Sequence, residues 1–368
     1  MPPSTKKRIV VSGVNIKVMG VLAVFKDALE ALAAECSGEY ELIALVHDRF
    51  LFDIPHIKFI EFPSIKSSWL SRIRFEYWTC RKLSRKLNAH LWFSMHDMSP
   101  FVTAERQSVY CHNAVSVNEF RWDEIKLDHK LGAFTLFYRF LYGINIKANN
   151  FVVVQQDWFR QHFMHYYGVK NVVVAHPSIA PQAIPANVPR AAGEPYCFFY
   201  PSFPRPFKGM DLILGSARAM LQNGITNFEV WLTTDGTETP YARKLFSDFG
   251  DLPNVRWLGL LPRSEVYQRY AAADCLIFPS RLESWGMPIT EFQQTGKPLI
   301  TVDLPYARET VGAYPATAFF NRDQPQQLTT LMSGAVTGES VFHPTTATPI
   351  AAPFARNWAE LWRILLAE

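Results

Sequence analysis

Short apolar runs alternate with longer amphipathic segments along most of the chain, and this alternation restricts the fold more than any other feature of the sequence. Residues 8–12 and 41–46 are runs of the strand type, and residues 21–35 between them have helical periodicity. Strands that alternate with helices build βαβ units, in which successive strands run parallel. The sequence therefore predicts an α/β fold. The same reasoning predicts strands at residues 57–62, 90–94, 108–111, 150–154, 196–200, 228–233, 255–258, 275–278, 298–302 and 318–320.

A proline-rich segment at residues 177–195 divides the chain into two alternating sets of strands and helices. Its five prolines exclude a helix and favour an extended linker. With 368 residues, the chain is long enough to form two hydrophobic cores. We therefore predict one domain over residues 1–180 and a second over residues 190–350.

Charge and cysteine usage favour a cytoplasmic protein with one basic half. The net charge is +4, but residues 1–188 contain 22 Lys and Arg against 16 Asp and Glu, whereas the remaining residues contain 15 against 17. A basic half indicates contact with an anionic surface. The five cysteines are scattered without a C-x-x-C pair, which predicts buried, reduced thiols. No apolar run reaches the ~18 residues of a membrane helix, and the first residues do not follow the signal-peptide pattern.

Residues 275–291 contain the most chemical information. The apolar strand 275–278 is followed by Pro-Ser, by a Gly-Met-Pro corner and by a helical run. Glu283 is expected in the loop after the strand and Glu291 in the first turn of the helix, at the end of the sheet where open α/β folds bind ligands. Helix-start N–H groups suit a diphosphate, and carboxylates suit sugar hydroxyls. In the alternative interpretation, the two glutamates are a solvated loop residue and a helix-terminal charge.

Two other loops of the second predicted domain also follow strands. Lys208 precedes Gly209 and a predicted helix at residues 211–221, so its ammonium group is placed to reach a phosphate. Arg205 lies three residues earlier and is either a second phosphate ligand or a surface arginine. Asp235 follows the strand 228–233 and either shapes a nucleotide pocket or turns the chain.

In the first predicted domain, two histidines directly follow strands. His96 and Asp97 come after the strand 90–94, and His112 comes after the strand 108–111. The carboxyl ends of parallel strands share one edge of a sheet, so we expect these side chains to open onto the same cleft. His96 and Asp97 are then placed to orient an acceptor or to act on its hydroxyl proton. The alternative is that they are polar loop residues that satisfy backbone groups.

The helix predicted at residues 66–87 has seven basic residues and a single acidic one, Glu76, with aromatic residues interleaved. This composition suits an anionic membrane surface. Two other interpretations remain. A solvated helix that packs its aromatic side chains into the core has the same pattern. A nucleic-acid surface does as well, but no nucleic-acid-binding motif accompanies it. The basic residues are Lys66, Arg72, Arg74, Arg81, Lys82, Arg85 and Lys86.

The string that runs from the strand at 275 to Thr-Gly-Lys-Pro-Leu-Ile-Thr-Val-Asp-Leu-Pro resembles the Glu-x7-Glu region of the retaining glycosyltransferases of family 4, also called group 1. The resemblance extends over most of the chain and is strongest at residues 198–312. It implies a GT-B fold, in which two Rossmann-like domains face each other across a cleft and a final helix, here residues 355–368, crosses back to the first domain. It further implies a nucleotide-diphosphate sugar as donor, with UDP or GDP expected, and neither a cofactor nor a metal ion.

The resemblance also implies roles for individual residues. Lys208 and Arg205 would stabilise the leaving diphosphate, although the family's basic residue stands where this chain has Ser202. Glu283 would hold the donor sugar and Glu291 the ribose. The remaining residues assigned to the site through the motif or its surroundings are His112 and Gly20, which match a family histidine and glycine near the donor, together with Trp285, Gly286, Met287, Asp235, His96 and Asp97. For Gly20, an ordinary turn glycine is the alternative.

The resulting hypothesis is a retaining transferase that glycosylates a lipid-linked glycan, as in the synthesis of lipopolysaccharide, O-antigen or another cell-surface polysaccharide, at the inner face of the cytoplasmic membrane. A soluble acceptor remains open. A nucleotide-sugar hydrolase or epimerase on the same scaffold is one alternative, and turnover without an acceptor would distinguish it. A non-catalytic scaffold subunit of a glycan-assembly complex is another, although the presence of Lys208, Glu283 and Glu291 argues against it.

Overall fold

A computed structural model of the protein describes residues 6–16, 19–63, 65, 69–117, 129–177, 185–186, 190–191 and 193–367; it gives the backbone but not the side-chain surroundings of residues 19–20, 69, 129–131 and 133–134. The described strands are, in chain order, β1 (Arg8–Gly13), β2 (Glu41–Val46), β3 (Ile57–Glu61), β4 (Ala89–Ser94), β5 (Ala104–Cys111), β6 (Phe151–Val154), β7 (Val172–Ala175), β8 (Tyr196–Tyr200), β9 (Phe228–Leu232), β10 (Val255–Trp257), β11 (Cys275–Phe278), β12 (Leu299–Val302), β13 (Thr317–Phe320) and β14 (Phe354–Ala355).

The described α-helices alternate with these strands along the chain, and most strands are followed by a helix. They are α1 (Met19–Cys36), α2 (Trp69–Arg74), α3 (Cys80–Leu87), α4 (His129–Gly143), α5 (Asp157–Tyr167), α6 (Met210–Gln222), α7 (Pro240–Phe249), α8 (Arg263–Ala272), α9 (Met287–Gln293), α10 (Pro305–Val311), α11 (Pro325–Thr337) and α12 (Trp358–Leu366). No described helix is both long and apolar enough to cross a membrane.

The chain divides into two compact units, each with its own sheet. The first unit comprises Met1–Val117, Thr135–Ala180 and Ile350–Glu368, and the second comprises Asn118–Phe134 and Pro181–Pro349. The linker prediction at residues 177–195 falls largely outside the described residues.

The sheet of the first unit has the order β14-β7-β6-β5-β4-β1-β2-β3, and its strands pair in parallel. The chain proceeds from β1 to β2 and β3 on one side and then resumes at β4 on the other side of β1. The direction of winding therefore reverses between β1 and β4. At such a switch point the loops after the two strands diverge and leave a crevice at the carboxyl edge.

Both faces of this sheet are buried, as the nearly continuous apolar runs predict. Ile9 and Val11 pack with α1 and α12 on one face, whereas Val10 packs on the other face with residues of the segment 75–80. The indole N–H of Trp362 in α12 donates to the carbonyl of Ala28 in α1 at 3.0 Å. The final helix therefore belongs to the core of the first unit.

The sheet of the second unit has the order β10-β9-β8-β11-β12-β13, again with parallel pairs. Here the direction of winding reverses between β8 and β11. The predicted α/β class with parallel sheets is confirmed in both units, and β2, β8 and β11 have the predicted residues. All five cysteines are buried and free, which confirms that prediction.

The segment 69–87 differs from the uniform helix predicted for it. A π-helical turn, Phe75–Thr79, separates α2 from α3. An extra residue in a helical turn changes which side chains face inward beyond it. Leu70 and Trp78 are 78% and 62% exposed, whereas Glu76 is fully buried. Glu76 is therefore not a charge on a solvated face, and the contributions of Lys66 and of the Trp69 side chain lie outside the described residues.

Candidate active site

Lys208 lies at the switch point of the second sheet. After β8 the chain forms a single 3-10 turn, Pro206–Lys208, and Gly209 then begins α6 with a φ of 71°, a left-handed conformation that favours glycine. The Tyr200 hydroxyl donates to the carbonyl of Lys208 at 2.9 Å and so anchors the turn to the end of β8. The ammonium group is thereby held close to the N-terminal end of a 13-residue helix, where anions are stabilised.

Glu283 lies in the loop that follows β11, on the other side of the same switch point. Its Oε1 is 2.5 Å from Nζ of Lys208, and the two side chains are only 15% and 19% exposed. The two residues that the sequence placed separately after β8 and β11 therefore form one partly buried ion pair. A phosphate group that binds here would replace the carboxylate of Glu283 as the partner of Lys208. The carboxylate would then accept hydrogen bonds from hydroxyl groups.

The corner between Glu283 and α9 depends on Gly286. This residue has a φ of 92° and forms the N-cap of α9, so a glycine is required by the backbone. Trp285 is buried, and its indole N–H donates to Oγ1 of Thr290 at 2.9 Å. Met287 is half-buried as the first helical residue. In this geometry Trp285 packs inward and stabilises the corner.

Glu291 is not in the first turn of its helix, which corrects the position predicted for it. α9 begins at Met287 because Gly286 turns the chain there, so Glu291 is the fifth helical residue. Its carboxylate accepts from the hydroxyl of Tyr270 at 3.0 Å and from the guanidinium of Arg263 at 3.2 Å. The interpretation as a charge that only stabilises a helix start is therefore wrong.

Arg205 and Asp235 have local partners. The guanidinium of Arg205 lies over the Phe203 ring, 5.5 Å from its centroid. Asp235 is exposed, and its carboxylate accepts from the backbone N–H and the hydroxyl of Thr237 at 2.9 and 2.6 Å, which hold the pKa of Asp235 below its usual value. Of the two interpretations of Asp235, the geometry favours the turn.

A second polar cluster lies at the switch point of the first sheet. His96 follows β4, and its Nε2 lies 3.1 Å from Oγ of Ser12 at the end of β1. The same nitrogen is 3.4 Å from Oε1 of Glu76, and both side chains are completely buried. Arg72 donates to the carbonyl of His96 at 2.7 Å. Since the ring of His96 is buried, its action on a substrate in this conformation would be indirect, through Asp97.

The Glu76 and His96 side chains are both neutral at physiological pH. Burial raises the pKa of Glu76 to about 8, although the positive charge of Arg72 opposes this effect. Burial, together with Arg72, lowers the pKa of His96 to about 3. Low-polarity surroundings disfavour the charged form of each group, so the carboxyl keeps its proton and the imidazole does not gain one.

Asp97 and His112 are brought together, as the sequence predicts for side chains that follow neighbouring strands. Oδ1 of Asp97 accepts from the backbone N–H groups of His112 and Asn113 at 2.8 and 3.2 Å and lies 3.5 Å from Nδ1 of His112. Asp97 has a φ of 73°, a conformation that Asp tolerates better than most residues. Its carboxylate thereby orients the imidazole of His112, which is partly exposed.

At the end of β1, the packing requires a glycine at position 13. A Cβ at Gly13 would lie 2.4 Å from the ring of Phe25. Gly20 lies in the first turn of α1, and its surroundings fall outside the description. The role assigned to Gly20 stays a prediction.

Several residues of the two clusters were not identified from the sequence. Tyr270 and Arg263 lie on α8, far from Glu291 in the chain, and no motif links them to it. Ser12 ends a strand like many other residues. Glu76 was conspicuous in the sequence because it is the single acidic residue of a basic helix, but it was not assigned to a site.

Comparison with known families finds one match, to the family described as glycosyl transferases group 1, over residues 182–340. This segment contains Lys208, Glu283 and Glu291. A sequence search of curated proteins finds no match.

Solved structures resemble most of the chain at low identity. Sucrose-phosphate synthase from Thermosynechococcus elongatus is 12% identical and matches 90% of each chain with a TM-score of 0.60. The lipopolysaccharide outer core galactosyltransferase WaaB is 15% identical over 91% of each chain (TM-score 0.59). Anabaena HepE in complex with UDP-glucose is 14% identical over 91% of each chain (TM-score 0.57). These likenesses confirm the predicted fold of two Rossmann-like units of the GT-B type. Residues 182–340, which match the model of the glycosyl transferases group 1 family, form most of the second of these units.

Proposed function

We propose that this protein is a retaining glycosyltransferase that transfers a sugar from a nucleotide-diphosphate donor to a hydroxyl group of a lipid-linked glycan. The observation that carries the proposal is the ion pair between Lys208 and Glu283. It lies at the switch point of the second sheet, beside the N-terminal end of α6, where an open α/β fold offers an anion site. The complex of HepE with UDP-glucose supports this choice of donor class.

In the proposed reaction, the bond between the anomeric carbon and the diphosphate oxygen breaks, and its electron pair leaves with the diphosphate. The acceptor oxygen forms the new bond on the same face of the sugar, and the acceptor proton passes to the leaving diphosphate. Lys208 and the N-terminus of α6 stabilise the charge that develops on the diphosphate. Glu283 binds the donor sugar, Glu291 binds the ribose, and no metal ion or cofactor takes part.

The first unit is proposed to bind the acceptor. Asp97 and His112 lie together at the carboxyl edge of its sheet, where His112 is partly exposed to an incoming hydroxyl group. The segment 69–87 exposes Leu70 and Trp78 beside Arg74, Arg81 and Lys82. Apolar side chains flanked by basic ones suit an anionic membrane surface, which would bring a lipid-linked acceptor to this unit. The likeness to WaaB supports a cell-surface glycan.

The donor site is tested by ligand-observed NMR against UDP-, GDP-, dTDP- and ADP-sugars, with wild type and Glu291→Ala. We expect one nucleotide class to bind the wild type and to bind the variant at least about 10-fold more weakly, because a buried charged hydrogen-bond acceptor is removed. Asp251→Ala is the matched control, since this carboxylate is 82% exposed and precedes β10 at the opposite edge of the sheet.

Four other outcomes would contradict the proposal. Absence of binding to every donor, or binding that is indifferent to Glu291, would refute the assigned site. Release of free sugar at the full rate without any acceptor would identify a hydrolase. Conversion of the bound donor into an isomeric nucleotide sugar would identify an epimerase.

A further inference from the structure

The two loops that carry Lys208 and Glu283 are in direct backbone contact. The carbonyl of Phe207, one residue before the lysine, accepts from the N–H of Arg281 at 2.7 Å. A Cβ at Gly209 would lie 2.9 Å from the carbonyl oxygen of Pro279, so the first loop approaches the second as closely as a glycine allows. Small movements of either loop would therefore change the distance between the two functional side chains.

Arg322 bridges these loops from a third element. It comes two residues after β13, and its NH1 group lies 3.3 Å from the carbonyl oxygen of Phe207 and 3.3 Å from that of Pro279. One guanidinium nitrogen thus donates to both loops at once. Arg322 was not among the residues selected from the sequence, because a single arginine after an edge strand has no distinguishing pattern.

The bridge matters because the side-chain contact between the loops cannot persist when a donor binds. In the present structure, the loops are joined by the Lys208–Glu283 pair. A diphosphate that engages Lys208 competes with this carboxylate, so the pair loosens when the ligand arrives. These two contacts of Arg322 are made to backbone carbonyls and do not depend on that exchange. They can hold the turn that carries Lys208 in a fixed position relative to the loop that carries Glu283 throughout the exchange.

The charges of Arg322 and Glu283 act on the same two tyrosine side chains. The hydroxyls of Tyr200 and Tyr306 donate to the carbonyls of Lys208 and Ser280. Glu283 raises and Arg322 lowers the pKa of each of these tyrosines, although burial is the largest influence. Arg322 therefore adds a fixed positive charge beside the turn that carries Lys208.

We propose that Arg322 is a positioning residue for the donor diphosphate, which holds the Lys208 turn against the Glu283 loop while the lysine exchanges its carboxylate partner for phosphate. This inference depends on the proposed donor site. It concerns the diphosphate alone and predicts no effect on the binding of the nucleoside.

The test compares the affinities of UDP and uridine, and of GDP and guanosine, by NMR titration of the intact protein. The affinity ratio within a pair isolates the part of binding that is due to the diphosphate. We expect Arg322→Gln to weaken binding of the diphosphate about 10-fold and that of the nucleoside less than about 2-fold, which is the effect of losing a charged donor at a hydrogen bond. Arg322→Lys keeps the charge, but its side chain is shorter and its ammonium group reaches the two carbonyls less well, so we expect a loss of about 3-fold.

Arg218→Gln is the matched control. Arg218 also donates to a backbone carbonyl of the same unit, that of Asp248, but it lies near the C-terminal end of α6. This variant should leave both affinities unchanged.

The outcomes separate this inference from the proposed function. If the wild type binds UDP or GDP and Arg322→Gln leaves the ratio of affinities unchanged, the role of Arg322 is refuted and the donor site stands. If Arg322→Gln loses both ligands, the lysine variant decides: selective weakening of the diphosphate supports the role, and equal weakening of both ligands refutes it. If the wild type binds none of the four ligands, the donor site and this inference both fail.

Discussion

The switch point of the first sheet holds Glu76 and His96, which are completely buried, whereas that of the second sheet holds Lys208 and Glu283, which are 19% and 15% exposed. Burial shifts the pKa values of Glu76 and His96 toward their neutral forms. The second pair forms an ion pair at 2.5 Å. Equivalent places in two similar sheets therefore hold a neutral pair and a charged pair.

The difference follows from access to water. A buried charge is costly without a well-matched partner, so complete burial selects the neutral forms. A partly buried ion pair keeps its charges, and the cost of desolvating them offsets much of their attraction, so the pair is only modestly stabilising. A ligand can displace a weak, charged pair at little cost. The first cluster is suited to holding Asp97 and His112 in place, and the second to exchanging partners with an anion.

The largest effect is expected from removal of the exchangeable cation. Lys208→Met should weaken UDP or GDP binding about 100-fold, because a charged hydrogen bond to phosphate is lost from a partly buried site. Lys244→Met, which removes a lysine from an exposed pair with Asp248, should leave affinity unchanged. Isothermal titration of both variants checks this. A loss of less than about 3-fold for Lys208→Met would remove the basis for contrasting the two clusters.

The protonated carboxyl of Glu76 should be detectable in the pH dependence of the free energy of unfolding. The ordinary pKa of the Glu76 carboxyl is 4.5 and the native value is about 8, so the folded protein retains a proton that the unfolded chain releases between these values. The free energy of unfolding of the wild type should therefore lose a contribution as the pH rises through this window. Glu76→Gln keeps the shape and cannot ionise, so by pH 8.5 it should gain stability relative to the wild type, up to about 5 kcal/mol at roughly 1.4 kcal/mol per pKa unit.

Other groups near Glu76 titrate as well, and the experiment must separate them. Arg72, Tyr77, Cys80 and His96 face Glu76 or influence its surroundings. Of these, His96 has the opposite dependence: its lowered pKa means that stability is lost as the pH falls below its ordinary value of 6.5. Urea unfolding of the wild type and Glu76→Gln at each pH cancels the contribution of His96. Glu39→Gln, at an exposed position, is the control, and parallel curves for wild type and Glu76→Gln would show that Glu76 is ionised in the native state.

The fold was predictable from the sequence because parallel strands buried on both faces leave an unmistakable apolar run. The segments 41–46, 196–200 and 275–278 were therefore identified residue for residue. Lys208 and Glu283 were also identifiable, since each follows a strand. That they meet is a consequence of strand order, which puts β8 beside β11.

The position of a side chain was not predictable from the sequence where it depends on a local departure from regular helix geometry. The π-helical turn at Phe75–Thr79 changes the phase of the helix, so periodicity alone misplaces Glu76. Gly286 makes α9 begin two residues earlier than the apolar pattern suggests, so Glu291 lies in the second turn of the helix and not in the first. Partners such as Tyr270 are brought to Glu291 by tertiary packing and have no sequence signal.

The smallest effect is expected on the outer face of the segment that buries Glu76. Arg74 and Lys82 are exposed there beside Trp78, and neither is needed for packing. Replacing both by Gln should change the free energy of unfolding by less than about 0.5 kcal/mol, as is usual for exposed positions. Binding to vesicles that contain phosphatidylglycerol should weaken about 30-fold, since each of the two basic residues contributes roughly 1 kcal/mol near anionic headgroups.

Co-sedimentation with anionic and with zwitterionic vesicles measures this loss, and salt should reproduce it for the wild type because the attraction is screened. The control replaces Lys58 and Lys170, two other exposed lysines of the first unit, by Gln. Equal weakening by both double variants would mean that the net charge of the unit, and not this face, drives binding. Selective weakening would mean that the segment 69–87 has a charged outer surface for the membrane and a neutral inner surface for the acceptor site. The contrast between a charged and a neutral group of side chains, seen between the two units, would then also exist within this single segment.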